Sequence, residues 1–168
     1  MSQTIQGMSP REFVAALLRD VVLGGVEDVE QAVSTYFAPG YEQYVDGNTL
    51  DHTEFARHVH AVREILDRGE VEVREALFDG TTLADIHTVR ARKTDGSHVE
   101  LEVHMFAEID HDGRVRRVRE LTRLVTGDQA RPLPRPRAVA RARGLPFRAP
   151  FRPPVRDGIP PLPSPRNY

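Results

Sequence analysis

The chain has 168 residues and a formal net charge of −2, which suits a single globular domain with spare length. It contains no cysteine, so disulfides, thiolate catalysis and zinc–cysteine sites are excluded. Residues 131–168 hold nine arginines and one aspartate, about +8, which leaves about −10 for the rest and argues against a nucleic-acid partner.

No apolar run approaches the ~18 residues of a membrane-spanning helix, and residues 1–13 lack the apolar core of a signal peptide. We therefore expect a soluble, cytoplasmic protein without a membrane partner. Residues 1–8 are expected to be disordered, and residues 9–128 are expected to form the folded domain.

Two helices are predicted in the N-terminal part of the chain. The first begins with Ser9 and Glu12, which have the spacing of a capping box, and ends at Gly24-Gly25. The second is predicted over residues 27–37. The apolar residues of the first helix recur at helical spacing: Phe13, Val14, Leu17, Leu18 and Val21.

Residues 41–50 are predicted to form a loop or a short extended segment, followed by a third helix. This helix begins near Asp51, which can form a second capping box with Glu54. At 100° per residue, His58 lies inside the apolar arc and His60 lies outside it. The arc itself contains Phe55, Val59, Val62, Ile65 and Leu66.

The histidines of this helix do not predict a metal site. Indexing separates His58 from His60 by about 160°, so they cannot bind one ion together. The sequence also lacks a Gly-rich phosphate loop and a dinucleotide-binding fingerprint. We therefore expect no metal and no cofactor.

After Gly69, which is expected to end the third helix, the pattern changes to strands. Four alternating segments follow, separated by Asp-Gly pairs, which are the strongest short-range signal for a β-hairpin. Three such pairs predict a four-stranded antiparallel meander, and three helices packed on a curved antiparallel sheet make an α+β fold. The segments cover residues 70–78, 81–93, 97–110 and 114–126.

Alternation assigns the side chains of these strands to two faces. Asp85 and His87 lie on the apolar face of the second strand, and Glu120 lies on that of the fourth. His104 lies on the opposite, mixed face of the third strand, beside Phe106. The apolar residues that define the inner face are Leu83, Val89, Val99, Leu101, Val103, Met105, Ala107, Val118 and Leu124.

The composition changes abruptly near Arg131. Eleven of the 13 prolines lie between Pro132 and Pro165, without helical or strand periodicity. This density of proline favours extended or disordered chain. Residues 129–168 are therefore interpreted as an irregular Pro/Arg-rich tail, disordered or bound to a partner, rather than as a second domain.

The order of these elements resembles the nuclear transport factor 2-like superfamily, and within it the SnoaL-like branch. Two segments carry the resemblance most clearly: YFAPGYEQYVDGNTLDHTEFARHVHAVR and FAEIDHDGRVRRVRELTRLVTGD. The resemblance covers residues 10–128 and implies a cone-shaped domain in which the sheet curls around the helices and forms a pocket. It also implies a homodimer formed through the sheet.

Members of the superfamily include polyketide cyclases, ketosteroid isomerase, limonene epoxide hydrolase, dehydratases and proteins that only bind. The enzymes among them imply a carboxylate or histidine that moves a proton next to a carbonyl or epoxide. Glu120 is the first candidate base, because its apolar face would desolvate it. Asp85 and His87 are further catalytic candidates. The alternative for these two is a hydrogen-bond network within the sheet.

Five other residues are candidate contacts for a bound molecule. The phenols of Tyr41 and Tyr44 would lie near the pocket mouth and could hold an oxyanion, or they could simply pack. His58 could equally be a core histidine, and Asp46 could be a turn residue only. His104 could instead contact a second subunit.

These observations favour a cofactor-independent isomerase, cyclase or dehydratase that acts by proton transfer on a small apolar carbonyl compound. The expected partner is therefore a small hydrophobic molecule. The alternative, from another class, is a non-catalytic module for ligand binding or protein interaction. Fold alone does not decide between them.

Overall fold

The computed structural model of the protein describes residues 3–127, so the predicted Pro/Arg-rich tail lies outside the described residues. Three α-helices and a π-helix pack against a six-stranded sheet, which confirms the α+β class. The helices are α1 (Pro10–Leu17), the π-helix (Leu18–Val22), α2 (Val29–Tyr36) and α3 (His52–Ile65). The strands are β1 (Phe37–Val45), β2 (Asn48–Asp51), β3 (Leu66–Phe78), β4 (Thr82–Lys93), β5 (His98–Ile109) and β6 (Val115–Gly127).

Both predicted capping boxes are present. Ser9 N donates to Glu12 Oε2 over 2.9 Å, and Glu54 N donates to Asp51 Oδ1 over 2.9 Å. The first helix, however, does not continue as an α-helix to Gly24. After α1 it widens into the π-helix, where Leu23 N donates to the carbonyl five residues earlier. π-Helical turns inside helices occur frequently at functional sites.

The predicted meander is present as β3 to β6, with antiparallel pairing throughout. The sheet is nevertheless larger than predicted and mixed, in the order β2-β1-β6-β5-β4-β3. Its additional strands, β1 and β2, lie within residues 37–51, of which residues 41–50 were predicted to form a loop or a short extended segment. β1 lies parallel to β6, so the prediction of a purely antiparallel sheet was wrong.

The two-residue turn Asp46-Gly47 explains why the segments on either side of it pair as strands. Asp46 and Gly47 have φ values of +46° and +86°, the combination that a type I′ hairpin turn requires. This turn pairs Val45 with Asn48 and so joins β1 to β2. The polar and short sequence around it resembled a loop, but tertiary pairing with β6 stabilises it as an edge hairpin.

Gly69 does not end the third helix, as had been predicted. The helix ends at Ile65, and Gly69 lies within β3, paired with Ala91. A Cβ atom on Gly69 would lie only 2.8 Å from Leu23 Cδ2, so the glycine allows this side chain to approach the sheet closely.

Residues 3–8 contact the folded domain, while the disorder expected for residues 1–8 stays a prediction. Ile5 is buried in the core with 2% of its surface exposed. Gln6 Nε2 donates to the carbonyl oxygen of Gly113 over 3.2 Å. Burial of one large apolar side chain is enough to fix a short terminal segment that otherwise lacks periodicity.

Arg63 of α3 fixes the helical layer. Its guanidinium donates four hydrogen bonds of 2.7–2.9 Å to backbone carbonyls around the end of the π-helix. The acceptors are Asp20, Val21, Val26 and Glu27. Carbonyls that a helix end leaves without partners are thereby satisfied, and the π-helix is joined to α3.

The outer face of the sheet carries four large exposed hydrophobic side chains: Tyr44, Leu77, Phe106 and Leu121. Charged residues surround them. Arg90, for example, forms ion pairs with three glutamates of β3 and β5. The homodimer through the sheet stays a prediction.

Within residues 3–127, no helix has both the length and the apolar character needed to cross a membrane.

We expect the substitution Arg63→Met to lower the free energy of unfolding by about 3 kcal/mol, because it leaves several partly buried carbonyls without donors. Urea unfolding measures this change. The matched control is Arg57→Met, an exposed position on the same helix, which should change stability by less than about 0.5 kcal/mol. Equal effects of the two substitutions would contradict the role assigned to Arg63.

Candidate active site

A cavity of about 220 Å³ lies between the sheet and the helices α1, α3 and the π-helix. Most of its wall is aliphatic or aromatic. Five residues form a polar cluster in this wall: Gln43, Asp46, His87, Glu120 and Thr122. An apolar cavity with a few convergent polar groups is the usual form of a small-molecule site.

Strand register brings the polar cluster together. Across the sheet, Glu120 of β6 lies opposite Met105 of β5, which lies opposite Asp85 of β4. The neighbouring row on the same face contains His87 and Thr122. These side chains come from separate strands but share the inner face, as the predicted alternation required.

Burial raises the pKa of the Glu120 carboxyl from its ordinary value of 4.5 to about 7. Glu120 lines the cavity and is itself only partly buried by accessible surface. His87 partly lowers the pKa, and so does a hydrogen bond with the Gln43 side chain, while the nearby carboxylates of Asp46 and Asp85 raise it. Near neutral pH this carboxyl can therefore either accept or donate a proton.

His87 and Asp85 form a buried pair beside Glu120. The distance between His87 Nδ1 and Asp85 Oδ2 is 2.5 Å, and both side chains are almost fully buried. A carboxylate can only accept hydrogen bonds, so the contact places the ring proton on Nδ1 and leaves Nε2 available to the cavity. Asp85 thus determines how His87 is oriented and which tautomer it adopts.

Tyr41 supplies a phenol that stays protonated. The residue is buried, with its ring 4.6 Å from that of Phe37 and 5.1 Å from that of Phe55. Burial, and to a lesser degree the charge of Glu120, raises the pKa of Tyr41 well above its usual value. Tyr41 lines the cavity, and a protonated phenol is a hydrogen-bond donor, the type of group that stabilises an oxyanion.

His58 and Asp46 both lie at the cavity. Burial lowers the pKa of His58, so its imidazole is neutral near pH 7. His60 points away, as the helical indexing predicted, and its Nε2 lies 3.0 Å from Glu30. Asp46 forms the turn and also accepts a hydrogen bond from Thr122 N over 3.0 Å.

Among residues 3–127, no cluster of three His, Asp or Glu side chains is placed to hold a metal ion.

Two candidate residues lie outside the cavity. Tyr44 is 49% exposed on the outer face, because it lies three residues after Tyr41 in a strand and therefore on the opposite side. His104 also lies on the outer face, where its Nε2 is 3.2 Å from Glu102 Oε1. The expectation that these two side chains contact a molecule in this cavity was wrong.

Two residues of the polar cluster were missed in the sequence. Gln43 is buried, with 6% of its surface exposed, and it hydrogen-bonds with Glu120. Its alternation with Tyr41 and Val45 was a usable signal, but only once residues 41–50 are known to form strands. Thr122 lies two residues after Glu120 in β6 and therefore on the same face, but a threonine in a strand is not by itself a signal of a site.

Comparisons with known proteins support the fold. No model of a known protein family matches the chain. A SnoaL-like polyketide cyclase from Jannaschia is 18% identical with a TM-score of 0.53, covering 70% of this chain and 90% of that protein. An epoxide hydrolase from Mycobacterium tuberculosis is 16% identical with a TM-score of 0.54, covering 68% and 82%. The chain therefore has the nuclear transport factor 2-like fold, as the resemblance implied.

At the level of sequence, the chain belongs to the same family as an uncharacterised protein of Schizosaccharomyces pombe. The two are 31% identical over 103 residues, which cover 61% of this chain and 78% of the yeast protein.

We expect Glu120→Gln to stabilise the protein at high pH. A carboxyl whose pKa rises from 4.5 to about 7 on folding contributes stability below pH 4.5 and loses it as pH rises through 7. Glutamine avoids this loss. The change in the free energy of unfolding caused by the substitution should therefore be more favourable at pH 8 than at pH 5, by up to about 3 kcal/mol. Urea unfolding at both pH values measures the difference, and Glu64→Gln, at an exposed position, is the control.

Proposed function

We propose that the protein is a cofactor-independent enzyme that moves a proton on a small apolar carbonyl compound, as an isomerase, cyclase or dehydratase does. The observation that carries this proposal is the Glu120 carboxyl, whose pKa of about 7 places it close to the working pH of a general base. The carboxyl faces an apolar cavity beside the His87–Asp85 pair. A pocket that only binds an apolar ligand has no need of a desolvated carboxyl.

Each group in the wall has a role in this proposal. The Glu120 carboxylate removes a proton from the carbon next to the carbonyl, and the electrons of the broken C–H bond move to the carbonyl oxygen. Tyr41 donates a hydrogen bond to the resulting enolate oxygen. The proton then returns to carbon from Glu120, and His87 Nε2 can deliver or accept a proton in the same space. Asp85 is a positioning residue that acts through His87.

The size of the cavity limits the substrate. Its volume of about 220 Å³ is below the ~300–1,000 Å³ of sites for drug-sized molecules. An apolar cavity of about 150 Å³ is sufficient for benzene. The substrate class that fits is therefore one ring or a short chain. Proteins named as a polyketide cyclase and as an epoxide hydrolase share the fold, which supports chemistry in this cavity without selecting one reaction.

The proposal predicts that the protein catalyses exchange of the α-protons of cyclohexanone in deuterated water. Proton NMR follows the loss of signal. Glu120→Gln should lower the exchange rate at least about 100-fold, because glutamine cannot accept the proton. The wild-type rate should rise with pH through about 7, as Glu120 becomes deprotonated.

The surface substitution Glu64→Gln is the matched control and should leave exchange unchanged. Equal exchange by wild type and Glu120→Gln would exclude Glu120 as the base. Binding of cyclohexanone by the wild type without any exchange would favour the alternative, a non-catalytic ligand-binding module.

Asp85→Asn tests the positioning role of Asp85. Asparagine can donate to Nδ1 and so favours the other tautomer of His87. We expect the exchange rate to fall at least about tenfold while the affinity for cyclohexanone stays unchanged. Measured affinity and rate separate these effects. A parallel loss of both would indicate a structural role for the buried pair instead.

A further inference from the structure

The lining of the cavity extends beyond the polar cluster. Six apolar residues, which we call the apolar arm, form this part of the wall: Val22, Leu66, Val89, Ala91, Val99 and Leu101. Four of these six are only partly buried: Val22, Leu66, Val89 and Leu101. The cavity therefore has an apolar extension next to the polar cluster.

The apolar arm has a definite direction and length. Its floor runs along β4 and β5, where Val89 pairs with Leu101 and Ala91 pairs with Val99. Ala91 lies four residues beyond His87, or roughly 13 Å at ~3.3 Å per residue. Along this part of β4 and β5, every described residue that lines the cavity beyond His87 is apolar: Val89, Ala91, Val99 and Leu101.

On β4 and β5 the lining of the cavity ends at Ala91 and Val99. Next to Ala91, Leu23 at the end of the π-helix lies against Gly69, where a Cβ atom would be 2.8 Å from Leu23 Cδ2 and 3.5 Å from Ala91 Cβ. Arg63 fixes this end of the π-helix by binding the carbonyls of Asp20 and Val21. Ala91 is the last residue of β4 in the cavity lining, so a bound molecule is expected to extend no further.

We infer that the cavity takes a carbonyl compound with an unbranched alkyl tail, whose oxygen-bearing head lies at the polar cluster and whose tail lies in the apolar arm. Aliphatic surface left uncovered in a wall is stabilised when an apolar ligand covers it. The inference rests on the proposed function for the position of the head. Recognition of the tail depends on the apolar arm alone.

Methyl ketones of increasing length, from methyl ethyl ketone to methyl nonyl ketone, test this inference by calorimetric titration of the wild type. Affinity should rise about fourfold per added methylene until the tail reaches Ala91, and then stop rising. An affinity that does not depend on chain length would overturn the inference.

Two substitutions should move the limit in opposite directions. Ala91→Leu fills the end of the apolar arm, so affinity should stop rising at a shorter ketone while the shortest ketones bind as before. Leu101→Ala, at a partly exposed position of the wall, should extend the rise to longer ketones. If Ala91→Leu fails to fold, as judged by circular dichroism, Leu101→Ala alone decides, and an unchanged limit in that variant would overturn the inference.

The control is Ala84→Leu. Ala84 lies on β4 as well, but it pairs with the exposed residues Leu77 and Phe106 on the outer face, so its substitution should leave the limit unchanged. A chain-length limit that moves with Ala91, together with no α-proton exchange in any variant, would support the apolar arm and contradict the proposed catalytic function. Exchange of α-protons without a chain-length limit would support the proposed catalytic function and contradict the apolar arm.

Discussion

The parallel pairing of β1 with β6 is the constraint on which the site depends. It sets Val45 beside Glu120 and Gln43 beside Val118, so that a strand from the N-terminal half closes the cavity next to the last strand of the meander. Tyr41 and Gln43 reach the cavity wall only because of this pairing. A parallel neighbour also requires a long connection, and α3 with the whole meander supplies it. The cavity is thus formed from residues that are far apart in the sequence.

Burial favours the neutral form of each ionisable group around this cavity, so it raises the pKa of the acids and lowers the pKa of the histidine. It raises the pKa of Glu120 into the neutral range, keeps the Tyr41 phenol protonated and keeps the His58 imidazole neutral. A single apolar environment therefore yields one group that can exchange a proton near pH 7 beside a phenol and an imidazole that are both neutral there. This separation of roles is what general acid–base chemistry requires.

Much of this arrangement could be predicted from local patterns. The capping boxes, the meander and the inward positions of Asp85, His87, Glu120 and His58 follow from spacing alone, because period and burial agree there. The β1–β2 hairpin was not predicted although Asp46-Gly47 is a hairpin turn, because β2 has only four residues, Pro39 and Gly40 interrupt β1, and pairing with β6 is not visible in the local sequence. The outward position of Tyr44 and the role of Gln43 both depend on that hairpin. The π-helix likewise has no signal in the hydrophobic pattern, which continues through it.

Asp46 shows how closely the backbone and the chemistry are joined. As a turn residue with φ of +46°, it could be replaced by asparagine or glycine without loss of the hairpin. Its charge, however, helps to raise the pKa of Glu120, and only an acidic residue can do that. An uncharged residue at this turn would keep the hairpin but leave a more acidic carboxyl in the cavity. One turn residue thus connects the shape of the edge hairpin to the proton affinity of a group on the neighbouring strand.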